Sequence, residues 1–518
     1  TNLERNLNLT LQLMEFGKPM IVVLNMWDDT KHKGIKIDYK KLEKLLNVPV
    51  VTSNGLTGAG LKELQKECVD VKPVDITIYD KEQRWEKIGE IVSEVQNLSH
   101  RHHTLIETVQ DLMINPVFGV PIALLVIYLA FKFVIAVGEF FVDFALKVFD
   151  FLYTPIVLWI SNILGGQGVL HSILIGNIEG QTIDYEGAMG VATTGMFIVL
   201  GVVLPYIISF YLVFGFLEDL GYLSRIAVIF DRILHRIGLH GYSVIPMMLA
   251  FGCNVPGILA IRNLESRRER FITAVITCIT IPCIAQTALV IRAVGSRGGI
   301  YLILTYTTLV TVWAVLGMFL KRTVSGSTPT LLIEIPPYRL PNIKIQFKKL
   351  NMRMRCFLKE AVPYVFGGIL IMNLLYETTN IIGVIGKFVS PVLKGILGLP
   401  EDSIAALIIG TIRKDAAVAL LDPLNLSNEQ IVIAVIVLTL YFPCVATFAV
   451  LFKELGVKDT TKAILIMLTV TLITGGVLNL LFQTNLSIEL IIIFEVVLIL
   501  LAGLIISFIP NREKILEE

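Results

Sequence analysis

Ile281-Pro282-Cys283-Ile284-Ala285 stands in the middle of a long apolar run, and Phe442-Pro443-Cys444-Val445-Ala446 stands in the middle of another. A proline inside a membrane-length helix removes a backbone donor and frees carbonyls near the bilayer centre. The cysteine beside it offers a soft sulfur at the same depth. One such break would predict little. Two in one chain predict a pathway built through a membrane.

The rest of the composition agrees. Soluble domains carry about 25% charged residues, whereas this chain of 518 residues carries 17% and is 54% hydrophobic, with a mean hydropathy of +0.73. The predicted class is therefore a mainly α-helical polytopic membrane protein, with the lipid bilayer as its solvent. A formal net charge of +1 and the lack of a long basic block exclude nucleic acid as a partner. Six cysteines, scattered and mostly inside apolar runs, exclude a disulfide framework. The first apolar run is short and follows a polar start, so no signal peptide is expected. The chain opens mid-pattern without a methionine, as a fragment lacking its N-terminus would.

Runs of spanning length fall at about 117–140, 190–217, 271–293, 300–320, 356–376, 429–452, 461–482 and 486–509. Two shorter stretches are interrupted: Val244–Ala260 by Gly252-Cys253-Asn254-Val255-Pro256, and Ile404–Leu421 by Arg413-Lys414-Asp415. Both are expected to be re-entrant or broken helices. The basic loop from Lys321 to Arg355 is expected in the cytoplasm, together with Arg262, Arg267, Arg268 and Arg270. That assignment puts both termini in the cytoplasm and makes 151–186, rich in glycine and poor in Lys and Arg, an external loop. An internal repeat runs through the same region. Leu204-Pro205-Tyr206 matches Val362-Pro363-Tyr364, Ile237-Gly238-Leu239 matches Leu397-Gly398-Leu399, and the Pro-Cys pairs match each other. The two units run in opposite senses under this topology, which predicts inverted repeats with a substrate site at their interface.

The first 75 residues alternate helix and strand. Leu3, Leu7, Leu11 and Met14 share a helical face, and Met20–Leu24 and Val48–Val51 read as buried parallel strands. Asn25-Met26-Trp27-Asp28 follows the first strand and Thr52-Ser53-Asn54 the second, at the carboxyl ends where ligands of such sheets bind. An Asp carboxylate there accepts from the ring N–H and exocyclic amino group of guanine, and adenine presents the opposite pattern. The phosphate-binding G-x-x-x-x-G-K-[ST] pattern is absent from these residues, so this stretch can recognise a base without holding phosphates. Trp85, Ile88, Ile91, Val92 and Val95 give one apolar face to a polar helical segment that follows.

In the membrane part, Cys253, Cys283 and Cys444 adjoin prolines or a break, and Asn254 and Met247 offer further oxygen and sulfur. A borderline divalent metal ion accepts thiolate, imidazole or oxygen ligands. A transient ladder of thiols suits passage better than a permanent three-thiolate site, which would release ions slowly. Cys278, in an unbroken run, reads as an apolar packer. The second repeat has no cysteine matching Cys253 and offers Arg413-Lys414-Asp415 there. Glu218-Asp219, Glu360, Glu377 and Asp415 flank or interrupt apolar segments, where charge is expensive.

The opening Thr1-Asn2-Leu3-Glu4-Arg5-Asn6-Leu7, the Asn25-Met26-Trp27-Asp28 loop, Gly252-Cys253-Asn254-Val255-Pro256 and both Pro-Cys stretches resemble the ferrous iron transport protein B (FeoB) family. The resemblance covers the whole chain. It implies part of an α/β P-loop-type GTP-binding domain at 1–75 and a cytosolic helical spacer at 76–116. A first transmembrane helix and external loop would follow at 117–186. Gate-type repeats would occupy 187–320 and 356–485 around a cytoplasmic linker at 321–355, and a last helix and tail 486–518. It further implies Asn25, Met26 and Asp28 as the guanine-specificity loop, and Thr52-Ser53-Asn54 where the family has a Ser-Ala base-contacting loop. Asn54 departs from that pattern. The expected activity is GTP-driven or GTP-regulated movement of Fe2+ into the cell across the cytoplasmic (inner) membrane. GTP, with Mg2+ in the full-length protein, would be the cofactor, and a small cytosolic accessory protein and a second copy of the chain the candidate partners. The full-length protein is expected to be a GTPase, and this fragment is not expected to hydrolyse GTP by itself. The alternative is a Gate-type carrier of an organic solute such as a nucleoside.

Overall fold

The computed structural model describes residues 3–507, leaving out 33, 56, 70, 75–78, 99–111, 166–167, 177–182, 184, 186–189, 327–337, 339–340, 361, 364–365, 368–369, 371–373, 375–385, 387–388, 413, 422–423, 425 and 485. The chain divides into two compact units, Thr1–Val109 and Gln110–Glu518.

In the first unit, helix α1 (Leu3–Met14) buries Leu3, Leu7 and Leu11. Strand β1 (Val22–Leu24) is followed by α2 (Trp27–His32), β2 (Ile35–Ile37), α3 (Tyr39–Leu46), β3 (Val50–Thr52), α4 (Leu61–Glu67), α5 (Lys81–Val95) and β4 (Gln96–Leu98). β1 pairs parallel with β3, Val22 opposite Val50 and Leu24 opposite Thr52, which places the two loops of interest side by side. Asp38 caps α3 by accepting from the Lys41 amide, and Asn47 ends it in the left-handed region at φ 51°. The β2–β4 pair is antiparallel and was not expected, since three residues are too few to show a period. Ile88, Ile91 and Val95 of α5 enter the same core as Leu7, Leu42, Leu46 and Val50. The segment read as a spacer is thus packed into the α/β unit up to Leu98. Trp85 stays off that face, 45% exposed.

The second unit begins with α6 (Pro116–Val148), capped by Asn115 with Pro116 at its first turn. It continues through a π-turn at Phe149–Tyr153 into α7 (Thr154–Ile163), an apolar run of 47 residues from Val117 to Ile163. The expected external loop at 151–186 is therefore helical in its first part and again at α8 (Val169–Leu174). The physical reason lies in the residues: the glycines that suggested a loop begin only at Gly165, and Pro155 sits in the first turn of α7, where a missing N–H is harmless. A π-helical stretch (191–203) leads into α9 (Leu204–Leu220), and Gly221, at φ 84°, turns the chain into α10 (Tyr222–Arg236). Then come α11 (Val244–Gly252), α12 (Asn254–Ala260), α13 (Arg267–Thr280), α14 (Ile284–Gly295), α15 (Gly299–Thr323) and α16 (Ile343–Glu360). They are followed by α17 (Ser403–Ile412), α18 (Lys414–Ala419), α19 (Asn428–Leu440), α20 (Val445–Gln483, kinked at Gly456) and α21 (Ile488–Ser507).

Among the described residues, 6 helical runs are long and apolar enough to cross a membrane. One of them, Asn428–Gln483, contains the two spans expected at 429–452 and 461–482. The span expected at 356–376 lies mostly outside the described residues. The chain is a multi-pass, mainly helical membrane protein, preceded by part of an α/β domain.

Both short broken stretches form helical hairpins. In the first, α11 and α12 approach so closely that a Cβ on Gly257 would meet the Ala250 Cβ at 2.6 Å. In the second, α17 and α18, a Cβ on Gly410 would meet the Ala417 Cβ at 3.1 Å. Each hairpin's second half packs across the repeat boundary, α12 on α20 and α18 on α14, while α13 and α14 pack on α19. The four breaks in the helices therefore meet where the repeats meet.

Candidate functional site

The membrane site is built from interrupted helices. Cys253 joins α11 to α12 with extended backbone, φ −153° and ψ 135°. Cys283 and Cys444 stand at the starts of α14 and α20, again extended, at ψ 166° and 155°. Pro282 and Pro443 explain the last two breaks, because neither can donate to the carbonyl one turn earlier. Those carbonyls belong to Cys278 and Thr439.

Cys253 lies within electrostatic reach of Cys444 and Cys283, so the structure brings the three expected thiols into one region. Among the described residues, no three Cys, His, Asp or Glu side chains close up tightly enough to hold a metal ion between them. Cys444 Sγ and Thr447 Oγ1 are 3.1 Å apart. Asn254, only 5% exposed, has a side-chain oxygen with no hydrogen-bond partner. Such an oxygen, buried and unpaired, is costly unless something else binds it. Met247 is buried in the apolar core, and Met248 lines a small apolar cavity with Phe131, Phe210 and Val213.

Three further groups lie close to these thiols. Gln286, fully buried, donates from Nε2 to Thr439 Oγ1 at 3.0 Å across the repeat boundary and leaves Oε1 without a partner. Its signal was available, one turn past Cys283, where Thr447 stands past Cys444. Lys414, 4% exposed, donates from Nζ to the Thr439 carbonyl at 2.6 Å, the carbonyl that Pro443 leaves free. The side chains of Arg413 and Asp415 lie outside the described residues. Cys278, read as a packer, is indeed fully buried, yet it lies within electrostatic reach of Lys414 and Cys444.

The acidic pair has a different role from the thiols. Glu218 is held by Arg353 at 2.7 Å, and Asp219 pairs with Lys349, so the basic helix α16 neutralises both. Glu377 lies outside the described residues, as does the Glu360 side chain. A buried acid that the sequence reading passed over, Glu495 of α21, accepts from Thr308 of α15 at 2.6 Å.

In the first unit the two loops are tied to each other. Trp27 N donates to the Ser53 carbonyl and Ser53 N to that of Leu24, at 3.2 and 3.0 Å. Asn25 Oδ1 accepts from the Gly55 amide at 3.2 Å and from Ser53 Oγ at 3.4 Å, bracing the second loop. Met26 adopts φ 56°, an uncommon conformation for a side chain of this kind, and is 51% exposed. Asp28 Oδ1 is buried and unpartnered. Asn54 turns its side chain onto its own loop, accepting from the Thr57 amide at 3.2 Å. Thr52 ends β3, and its carbonyl abuts Gly60, whose φ of 78° and lack of a Cβ allow that approach.

The chain is similar to known proteins along most of its length. Residues 1–68 match the family described as Ferrous iron transport protein B, and residues 302–353 match Ferrous iron transport protein B C terminus. Residues 200–297 and 358–458 match the family named Gate, described as Nucleoside recognition. A relative from Legionella pneumophila (strain Paris), named Fe(2+) transporter FeoB, is 27% identical over 82% of this chain and 66% of its own length. One of the same name from Helicobacter pylori is 30% identical over 72% of this chain and 58% of its own. A Porphyromonas gingivalis protein named as a fusion of Fe(2+) transport protein A with the transporter is 26% identical over 66% of this chain and 49% of its own. The chain thus spans two thirds or less of the length of these curated relatives. The solved cytosolic domain of the L. pneumophila protein is 30% identical, covering 18% of this chain and 62% of that one at a TM-score of 0.17.

Proposed function

Since the chain belongs to the ferrous iron transport protein B family, we propose that it carries ferrous iron into the cell across the cytoplasmic membrane. The path runs between the repeats, past Cys253, Cys283 and Cys444, with Asn254 adding an oxygen. The observation that carries this reading is the convergence of the three thiols at breaks in separate helices, beside buried amide oxygens with no partner. Soft sulfur and neutral oxygen together suit a borderline cation in transit. Met247, in the apolar core, is a weaker candidate ligand.

Guanine nucleotide binds at Asn25, Met26, Asp28 and Thr52-Ser53-Asn54 and controls the transport. The Asp28 carboxylate oxygen supports this: it is buried without a donor, and a guanine N–H would supply one once the loop opens to the base. Both termini face the cytoplasm, by the bias of basic residues around 321–355. A small cytosolic accessory protein and a second copy of the chain are the partners to seek.

The test is metal uptake by proteoliposomes, comparing Fe(II) with Zn(II) and Mn(II). Replacing Cys253, Cys283 and Cys444 together by Ser should abolish iron uptake and leave membrane insertion intact. Unchanged uptake in that variant would end the cysteine pathway. Uptake of a nucleoside that ignores loss of the thiols would favour an organic substrate instead.

A further inference from the structure

Lys414 places its side-chain nitrogen inside the proposed path. It begins α18, is 4% exposed, and among the described residues has no carboxylate within ion-pair distance. An ammonium buried in a membrane protein without a counter-ion is expensive to keep. What surrounds it is the site itself. Cys278, Cys283 and Cys444 all lie within its electrostatic reach. Its hydrogen bond goes to the Thr439 carbonyl, one of the oxygens that the proline breaks leave without a donor.

Its place in the repeat is equally specific. Lys414 precedes Cys444 by the same number of residues as Cys253 precedes Cys283. Cys253 links α11 to α12, and Lys414 is the first residue of α18, the second half of the other hairpin. Where the first repeat presents a thiol, the second presents a lysine amine.

We infer that Lys414 is a tethered cation that occupies the ion's place while the site is empty and is displaced when a divalent cation enters. This rests on the reading that iron passes the three thiols, and it adds what sets the ion's stay there. The ammonium covers a carbonyl that would otherwise ligate the ion, and its charge opposes a second cation nearby. Both effects weaken binding, so that an ion which enters can leave. A monovalent ion gains too little to displace it, whereas a divalent one gains twice the electrostatic energy.

Lys414→Gln tests the idea because the amide can still donate to the Thr439 carbonyl while the charge is gone. Equilibrium dialysis of the detergent-purified chain against ferrous iron without oxygen should show binding at least tenfold tighter than in the parent protein. Uptake by proteoliposomes should slow at the same time. Lys414→Arg, which keeps the charge, should bind within about threefold of the parent. Lys414→Met is the second neutral variant should Gln fail to fold, as judged by thermal unfolding. Folded neutral variants with unchanged or weaker binding would overturn the inference, as would an Arg variant that binds tenfold tighter. The underlying reading fails separately: a parent protein that binds no ferrous iron, or binds it equally without the three thiols, ends the cysteine pathway itself.

Discussion

Gln286 offers the sharpest separation between a structural tie and an ion ligand. Its Nε2 holds Thr439 Oγ1 at 3.0 Å, joining α14 of one repeat to α19 of the other, while its Oε1 has no partner. Gln286→Leu removes both atoms. The tie is a neutral hydrogen bond between membrane helices, worth about 0.6 kcal/mol, and Thr439 Oγ1 keeps its bond to the Val435 carbonyl at 2.8 Å. Loss of stability should therefore be small. An amide oxygen on a divalent ion behaves as a hydrogen bond to a charge, about 1.5–3 kcal/mol, or about 10- to 150-fold in affinity. Thr439→Val makes the opposite cut. It removes the same tie, strands the buried Gln286 amide at a cost of about 1–3 kcal/mol, and leaves Oε1 in place. Thermal unfolding should rank Thr439→Val as the less stable variant, and half-saturation of Fe(II) uptake should rise only in Gln286→Leu. If uptake falls in step with stability in both variants, Gln286 is a tie and nothing more.

Asp28→Ala should lower affinity for a fluorescent guanine nucleotide by about 10- to 100-fold, the worth of a hydrogen-bonded charge, and should narrow the preference over the adenine analogue; unchanged preference would remove Asp28 from base recognition. Gly60→Ala places a Cβ 2.0 Å from the Thr52 carbonyl in a left-handed conformation. About 3 kcal/mol or more is expected to be lost, a fall of roughly 10 °C or more in the unfolding of the first unit, seen by calorimetry. Gly257→Ala drives a methyl into Ala250 and should impair folding and uptake together. Ala250→Gly on top of it should restore little, because the new Cβ still meets the backbone Cα and N of residue 250 at 2.9 Å; a Gly257→Ala variant that folds and transports like the parent would show that the hairpin is not packed there.

The features legible in the sequence were those with a local cause. Proline beside cysteine marked the breaks, because a missing N–H ends a helix wherever it stands. Leu3, Leu7 and Leu11, and then Tyr39–Leu46, carried a helical period strong enough to read. What failed depended on partners far along the chain. β2 and β4 are three residues each and exist only by pairing across about sixty residues. Lys414 looked like part of a charged triplet until α18 was seen beside α14 and α19. Glu218 and Asp219 looked like costly membrane charges because Lys349 and Arg353 lie 130 and 135 residues away in sequence.

The asymmetry at residues 253 and 414 makes a further demand on the geometry. The repeat frame sets four break positions against one another, and thiols occupy three of them. A fourth thiol would complete a tetrahedral sulfur set, for which zinc is the natural occupant. Sites of that kind bind with about 10–16 kcal/mol, far too tightly for an ion in transit. Lys414→Cys would replace the proposed opposing charge by the missing ligand, and the four side chains would have to close in on the ion. The variant should retain about one zinc per chain through gel filtration in a mild chelator, and iron uptake should stop while the protein stays folded. Dithiothreitol should not restore uptake, whereas a strong chelator should restore part of it. A Lys414→Cys protein that moves iron at the parent rate and holds no zinc would mean that the second hairpin does not face the three thiols, and the pathway would have to be sought elsewhere between the repeats.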